Sequence, residues 1–157
     1  MTPKRWQESA AETVQVVLPN DSNPLGFILG GTVMHLIDIT GAIACHRHTN
    51  TLALTAGVDS LDFIHPIKVG DLIILKSRVT CAFKTSLEVE VEVFSEAIRT
   101  GERKLTSRAY LTFVSLDDSG KPTEVPPLIV ETPDDEERCR AAHARRTERL
   151  KRKQPAS

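Results

Sequence analysis

The sequence predicts an α+β domain in which an antiparallel sheet wraps a long central helix, with a second helix appended at the C-terminus. Three observations predict it. The segment from Thr32 to His48 is apolar on nearly every side, as a buried helix is. Four short runs with strand character follow it in close succession. A sheet covers only one side of a helix, so this sheet must curl around it, or a second subunit must cover the rest.

Taken in order, Thr13 to Leu18 is short and rich in β-branched residues, which predicts a strand. Pro19 to Gly26 is dense in turn formers and predicts a loop. The Gly30–Gly31 pair then leads into the apolar segment, whose length and Met, Leu and Ala content favour helix over strand. Strands are predicted over Leu52–Phe63, Asp71–Cys81, Ser86–Phe94 and Lys104–Leu116. The third is the cleanest: Leu87, Val89, Val91 and Val93 alternate with Glu88, Glu90 and Glu92, one set for each face. Short turns between consecutive strands predict an antiparallel meander.

From Val125 the pattern changes. An extended connector reaches Thr132, which has N-cap character, with Pro133 at the first helical position and Asp135 three residues after the cap. Acidic residues open this helix and Arg145 to Lys153 close it, as the helix dipole favours. Leu150 is its main large apolar residue, so it reads as a peripheral, solvated helix. The chain thus divides into a domain over residues 1–130 and a basic helical tail over 131–157.

Composition excludes several classes. The chain has 157 residues, enough for one core, with 40% hydrophobic residues, 26% charged residues and a net charge of -1. A neutral chain has no bulk attraction for nucleic acid or anionic lipid, and the basic tail lacks interleaved aromatics. No nucleic-acid or membrane partner is expected. There is neither a signal-like N-terminus nor a long apolar run, and the cysteines, Cys45, Cys81 and Cys139, are odd in number. Their number argues against a disulfide framework and for a reducing, cytoplasmic location. Cys45, His46 and His48 do not share a helix face, and no second ligand cluster is evident, so no metal is expected. Cys45 reads as a buried apolar thiol rather than a nucleophile, and no GxSxG elbow is present.

Asp38 is the residue that asks for an explanation. It is the only acidic residue between Gly26 and Asp59, and it lies within the apolar helix. Burial of an unpartnered carboxylate costs several kcal/mol and raises its pKa. A structural pairing with His35, three residues earlier, and a catalytic role are both open. The Gly30–Gly31 pair favours the catalytic one, because the first N–H groups of a helix are unpaired and can stabilise a developing oxyanion. Asp38 lies about two turns, roughly 10 Å, beyond Gly31. It therefore reaches that point best from a neighbouring subunit or through a water.

Residues 20–38 (NDSNPLGFILGGTVMHLID) and 58–71 (VDSLDFIHPIKVGD) resemble the hotdog-fold acyl-CoA thioesterases of the acyl-CoA hydrolase family. The strand LTSRAYLTFVSLD and the tail VPPLIVETPDDEE are similar to that family's closing segments. The resemblance implies a hotdog dimer that assembles further, into a hexameric trimer of dimers, with active sites at the dimer interface. It implies hydrolysis of acyl-CoA without a cofactor, coenzyme A being part of the substrate. Asp38 falls on the family's catalytic aspartate and Gly31 on the residue whose N–H polarises the thioester carbonyl. Phe27 stands where many relatives have Asn or Asp, which Asn23 compensates. Gly30, Ser60, Phe63, Lys84, Thr85, Ser86 and Arg108 are the expected coenzyme A contacts, with Lys84 and Arg108 meeting phosphates. The rival reading is an acyl-CoA sensor that kept the pocket and lost turnover with the change at Phe27. A hotdog dehydratase, using His35, is weaker.

Overall fold

A computed structural model describes residues 1–153. Its elements are α1 (Trp6–Ser9), β1 (Ala11–Val16), a 3-10 turn (Pro19–Asp21), α2 (Gly30–Thr49), β2 (Leu52–Phe63), β3 (Leu72–Ala82), β4 (Ser86–Glu96), β5 (Arg103–Leu116) and α3 (Pro133–Arg152). One five-stranded antiparallel sheet, in the order β1-β3-β4-β5-β2, packs against α2. No helix among the described residues is long and apolar enough to cross a membrane.

The expected helix and strands are all present, and α1 and the 3-10 turn are additions. α2 ends where Asn50 adopts the left-handed conformation (φ 55°) and donates its N–H to the His46 carbonyl. Asn tolerates that region better than most side-chain-bearing residues. Gly41 sets how closely the helix approaches the sheet, since a Cβ there would stand 3.4 Å from both Phe113 and Val91. Against this face Leu87, Val89, Val91 and Val93 of β4 are fully withdrawn from water. Each such side chain contributes about 1.5–3 kcal/mol.

The strand order corrects the expected meander. β3, β4 and β5 form one, but β2 pairs with β5 at the far edge and not with β3. Residues 64–71 are therefore a crossover rather than a hairpin turn. They pass the N-terminal end of α2, where Ile28 donates to the Ile67 carbonyl and Val69 to the Gly26 carbonyl. Curling of the sheet around the helix makes so short a crossover feasible.

A further expectation fails: α3 is not a peripheral, solvated helix. In fact Glu88 is 1% exposed and Glu90 3%, because α3 lies over them. Arg138 meets Glu90 at 2.8 Å, Arg145 meets Glu88 at 2.8 Å, and Arg149 meets Asp59 at 2.8 Å. The cap was read correctly: Thr132 accepts the N–H of Asp135 at 3.0 Å. The cysteine reading was not. Cys81 on β3 and Cys139 on α3 form a disulfide, leaving Cys45 free, so the cysteines no longer argue for a reducing compartment. Odd number misled because one cysteine is a core residue and the other two pair across a long separation.

Candidate active site

α2 presents an uncovered face to the outside. Gly31, His35 and Ile39 are exposed along it, and Asp38 is half-buried among them. The deep burial expected for Asp38 does not occur in a single chain. Its partner is not His35 but Thr55, whose hydroxyl donates to Asp38 Oδ1 at 2.6 Å. Thr55 sits where β2 departs from regular pairing, between Thr55 and Gly57, in a strand with a second irregularity between Val58 and Ser60. Such bulges re-aim side chains next to functional sites. Sequence reasoning missed Thr55, since a threonine in a strand carries no local signal of its partner across the fold.

The N-terminal end of α2 is built as an electropositive opening. Its N-cap, Leu29, supplies no side-chain hydrogen bond, and no acidic residue occupies the first turn. The Gly30 and Gly31 N–H groups thus carry the partial positive charge of the helix without an internal partner. Nothing stands within 4 Å of a Cβ built at Gly31, and one at Gly30 would meet only Phe63 Cζ, at 3.7 Å.

Asn23 is fixed beside this opening. Its Oδ1 accepts the N–H groups of Leu25 at 3.0 Å and Phe27 at 3.1 Å, and its own N–H donates to the Phe27 carbonyl. With the carbonyl oxygen committed to the loop, what remains for a ligand is the NH2 group, a donor. Phe27 serves this arrangement through its backbone. A cavity of about 350 Å³ is lined by Asn23, Phe27, Gly30 and Phe63 together with the crossover residues 64–67. Asp38 is not on its wall.

The remaining expected contacts are scattered in one chain. Ser60 pairs with Tyr110 toward the middle of β2. Arg108 neighbours the Phe63 end, but its Nη2 donates to Glu92 at 2.8 Å, and that hydrogen bond holds its guanidinium above the usual arginine range. Lys84 and Thr85 lie in the β3–β4 turn and Ser86 opens β4, where it pairs with Val114 at the opposite end of the sheet from Phe63. Hence Asn23, Gly30 and Phe63 are brought together, Asp38 gains Thr55, and the lysine turn does not join them within one subunit.

Cys45 and His48 take no part. Burial pushes the Cys45 thiol up to about 12, which removes it as a nucleophile. His48 is fully buried and donates from Nε2 to the Pro126 carbonyl at 2.7 Å.

Residues 25–102 match the thioesterase superfamily. An uncharacterised acyl-CoA thioester hydrolase of Bacillus subtilis is 39% identical over 147 residues, which cover 94% of this chain and 86% of that one. A solved apo-hexameric acyl-CoA thioesterase superposes with a TM-score of 0.92 at 39% identity, over 97% of both chains. An acyl-CoA hydrolase of Staphylococcus aureus, solved with butyryl coenzyme A, coenzyme A and coenzyme A disulfide, superposes at 0.88 with 34% identity, over 96% of this chain and 92% of that one. Variants of the S. aureus enzyme with an aspartate, an asparagine or a threonine replaced by alanine have the same fold. The curled sheet, the central helix and these matches together place the chain in the family of hotdog-fold acyl-CoA thioesterases.

Proposed function

We propose that the protein hydrolyses acyl-CoA thioesters to a free carboxylic acid and coenzyme A, with Asp38 as the catalytic carboxylate. The observation that carries this is the Asp38–Thr55 hydrogen bond of 2.6 Å on the uncovered face of α2. The asparagine, aspartate and threonine replaced in the S. aureus enzyme are separated by the same two intervals as Asn23, Asp38 and Thr55. This correspondence supports Asn23 as the amide of the site, a reading in which Phe27 takes no polar group from it and hydrolysis is favoured over a sensor role.

The roles follow from the chemistry. Gly31 N–H, with Gly30 beside it, polarises the thioester carbonyl and stabilises the oxyanion. Asp38, oriented by Thr55, takes a proton from water as the oxygen adds to the carbonyl carbon, or attacks that carbon itself to form a mixed anhydride that water then hydrolyses to the free acid. The C–S bond breaks and coenzyme A leaves as a thiolate that is then protonated. Asn23 donates its NH2 to the reacting water or carbonyl. No cofactor enters. Because Gly31 and Asp38 lie about 10 Å apart along one helix, the two meet across a dimer, where a second α2 covers the exposed face. The expected assembly is a dimer that builds a trimer of dimers, and Ser60, Phe63, Lys84, Thr85, Ser86 and Arg108 are the proposed coenzyme A contacts. The assignment is tested by thiol release from acyl-CoA of several chain lengths. Asp38→Ala is expected to lose at least a hundredfold in kcat, and a variant within a few-fold of the parent rejects the role.

A further inference from the structure

We propose that the Cys81–Cys139 disulfide is a reversible redox latch that holds α3 on the outer face of the sheet. Four observations support it. First, the disulfide joins residues 58 apart in sequence and on different elements, one in β3 and one in the second turn of α3. Second, α3 has almost no apolar anchor: its buried residues are Asp135 and Ala142 alone. It is held mainly by Arg78–Asp135, Arg138–Glu90, Arg145–Glu88 and Arg149–Asp59, with Arg145 against the Tyr110 ring and His143 and Arg146 against Phe83. Charge pairs of this kind lose much of their gain to desolvation, so a helix docked by them is held less firmly than one docked by a hydrophobic stripe. Third, the two sulfurs differ in access. Cys81 is buried at 1% exposure, whereas Cys139 is half-buried and the exposed His143 lies one turn further along α3. The His143 ring, the Cys139 sulfur and the Cys81 sulfur lie within 4.8 Å of one another. Fourth, the third cysteine does not compete, because Cys45 is sealed in the core.

The exchange balances with a low-molecular-weight thiol as reductant. Its thiolate attacks Cys139 Sγ, the S–S bond breaks, and Cys81 leaves as a thiolate that takes up a proton. A second thiolate attacks the mixed disulfide, releasing Cys139 and forming the small-molecule disulfide. Two thiols supply the two electrons, and a small disulfide reverses both steps. Opening the latch lets α3 lift from Glu88, Glu90 and Asp59. Asp59 lies at the irregularity of β2, between Val58 and Ser60, so its release reaches the strand that carries Thr55.

The test begins with the unsubstituted protein. Purified protein is equilibrated with either glutathione disulfide or dithiothreitol, unfolded in guanidinium, and titrated for thiols. One thiol is expected in the oxidised sample and three in the reduced one, interconverting over repeated cycles. Native samples of both states are then treated with trypsin at high salt. Cleavage within residues 138–153 is expected at least tenfold faster in the reduced state, with Cys139→Ser matching the reduced protein under both conditions. Three thiols after oxidation, a metal ion retained by the cysteine pair, or equal cleavage rates in the two states overturns the proposal.

Discussion

Arg145 grips Glu88 with two parallel hydrogen bonds, Nε to Oε2 at 2.9 Å and Nη2 to Oε1 at 2.8 Å, although the Glu88 side chain is only 2% exposed. The same guanidinium covers the Tyr110 ring, 3.6 Å from its centroid. Removing the arginine leaves a buried carboxylate with only the Thr80 hydroxyl, at 2.6 Å. Arg145→Met is expected to cost about 3–5 kcal/mol in urea unfolding, since an orphaned buried charge is not compensated. Adding Glu88→Leu to the same chain should restore most of that loss. A double variant as unstable as the single one would show that the grip itself, not the stranded charge, matters.

Thr55→Val keeps the shape of the side chain and deletes the hydroxyl that orients Asp38. A hydrogen bond to a charged group contributes about 1.5–3 kcal/mol, so kcat is expected to fall by about 10- to 150-fold. Thr55 is exposed in the single chain, and the melting temperature should move little. Steady-state kinetics beside a thermal melt separates the two effects. Unchanged kcat would remove Thr55 from the site.

Gly31 allows a test of its backbone donor. Proline is tolerated in the first turn of a helix because the N–H it lacks has no partner there. Gly31→Ala retains the N–H, and a Cβ at this position meets nothing within 4 Å. The alanine variant is expected to keep near-parental activity, while Gly31→Pro loses about 10²–10³ in kcat, as oxyanion-donor deletions do. Equal activities for the two would mean that the carbonyl is polarised elsewhere.

His48 couples stability to pH. Burial, the largest influence, lowers its pKa below 6.5, outweighing the hydrogen bond to the Pro126 carbonyl that acts the other way, and its Nδ1 has no partner. The unfolded chain therefore binds this proton more readily than the folded one. Stability from this residue is complete above pH 6.5 and falls as the pH drops below it, levelling off beneath the folded pKa. Urea midpoints should decline between pH 7.5 and 5.5, and His48→Gln should flatten that decline. An identical pH dependence in the variant assigns it to other groups.

The central helix and β4 were legible because their signals are local. The alternation from Leu87 to Val93 names a strand and its core face without reference to anything else. Gly30 and Asp38 stood out because one is locally permissive and the other locally costly, whereas Asn23 was reached only through the family resemblance. What could not be read depends on partners distant in sequence. The pairing of β2 with β5 rather than β3, the bond from Thr55 to Asp38 17 residues earlier, and the disulfide across 58 residues leave no periodicity behind. Arginines on a polar helix look the same whether water or Glu88 is their partner. Their docking followed from three-dimensional placement alone.

Asn23 is followed by Pro24, whose nitrogen carries no hydrogen. Asparagine ageing by cyclisation requires the next backbone nitrogen to close a succinimide ring on the side-chain amide, and here that nitrogen is already fully substituted. The Asn23 amide is thereby shielded from spontaneous conversion to aspartate, a change that would replace its donor with a negative charge on the wall of the cavity it shares with Phe27, Gly30 and Phe63.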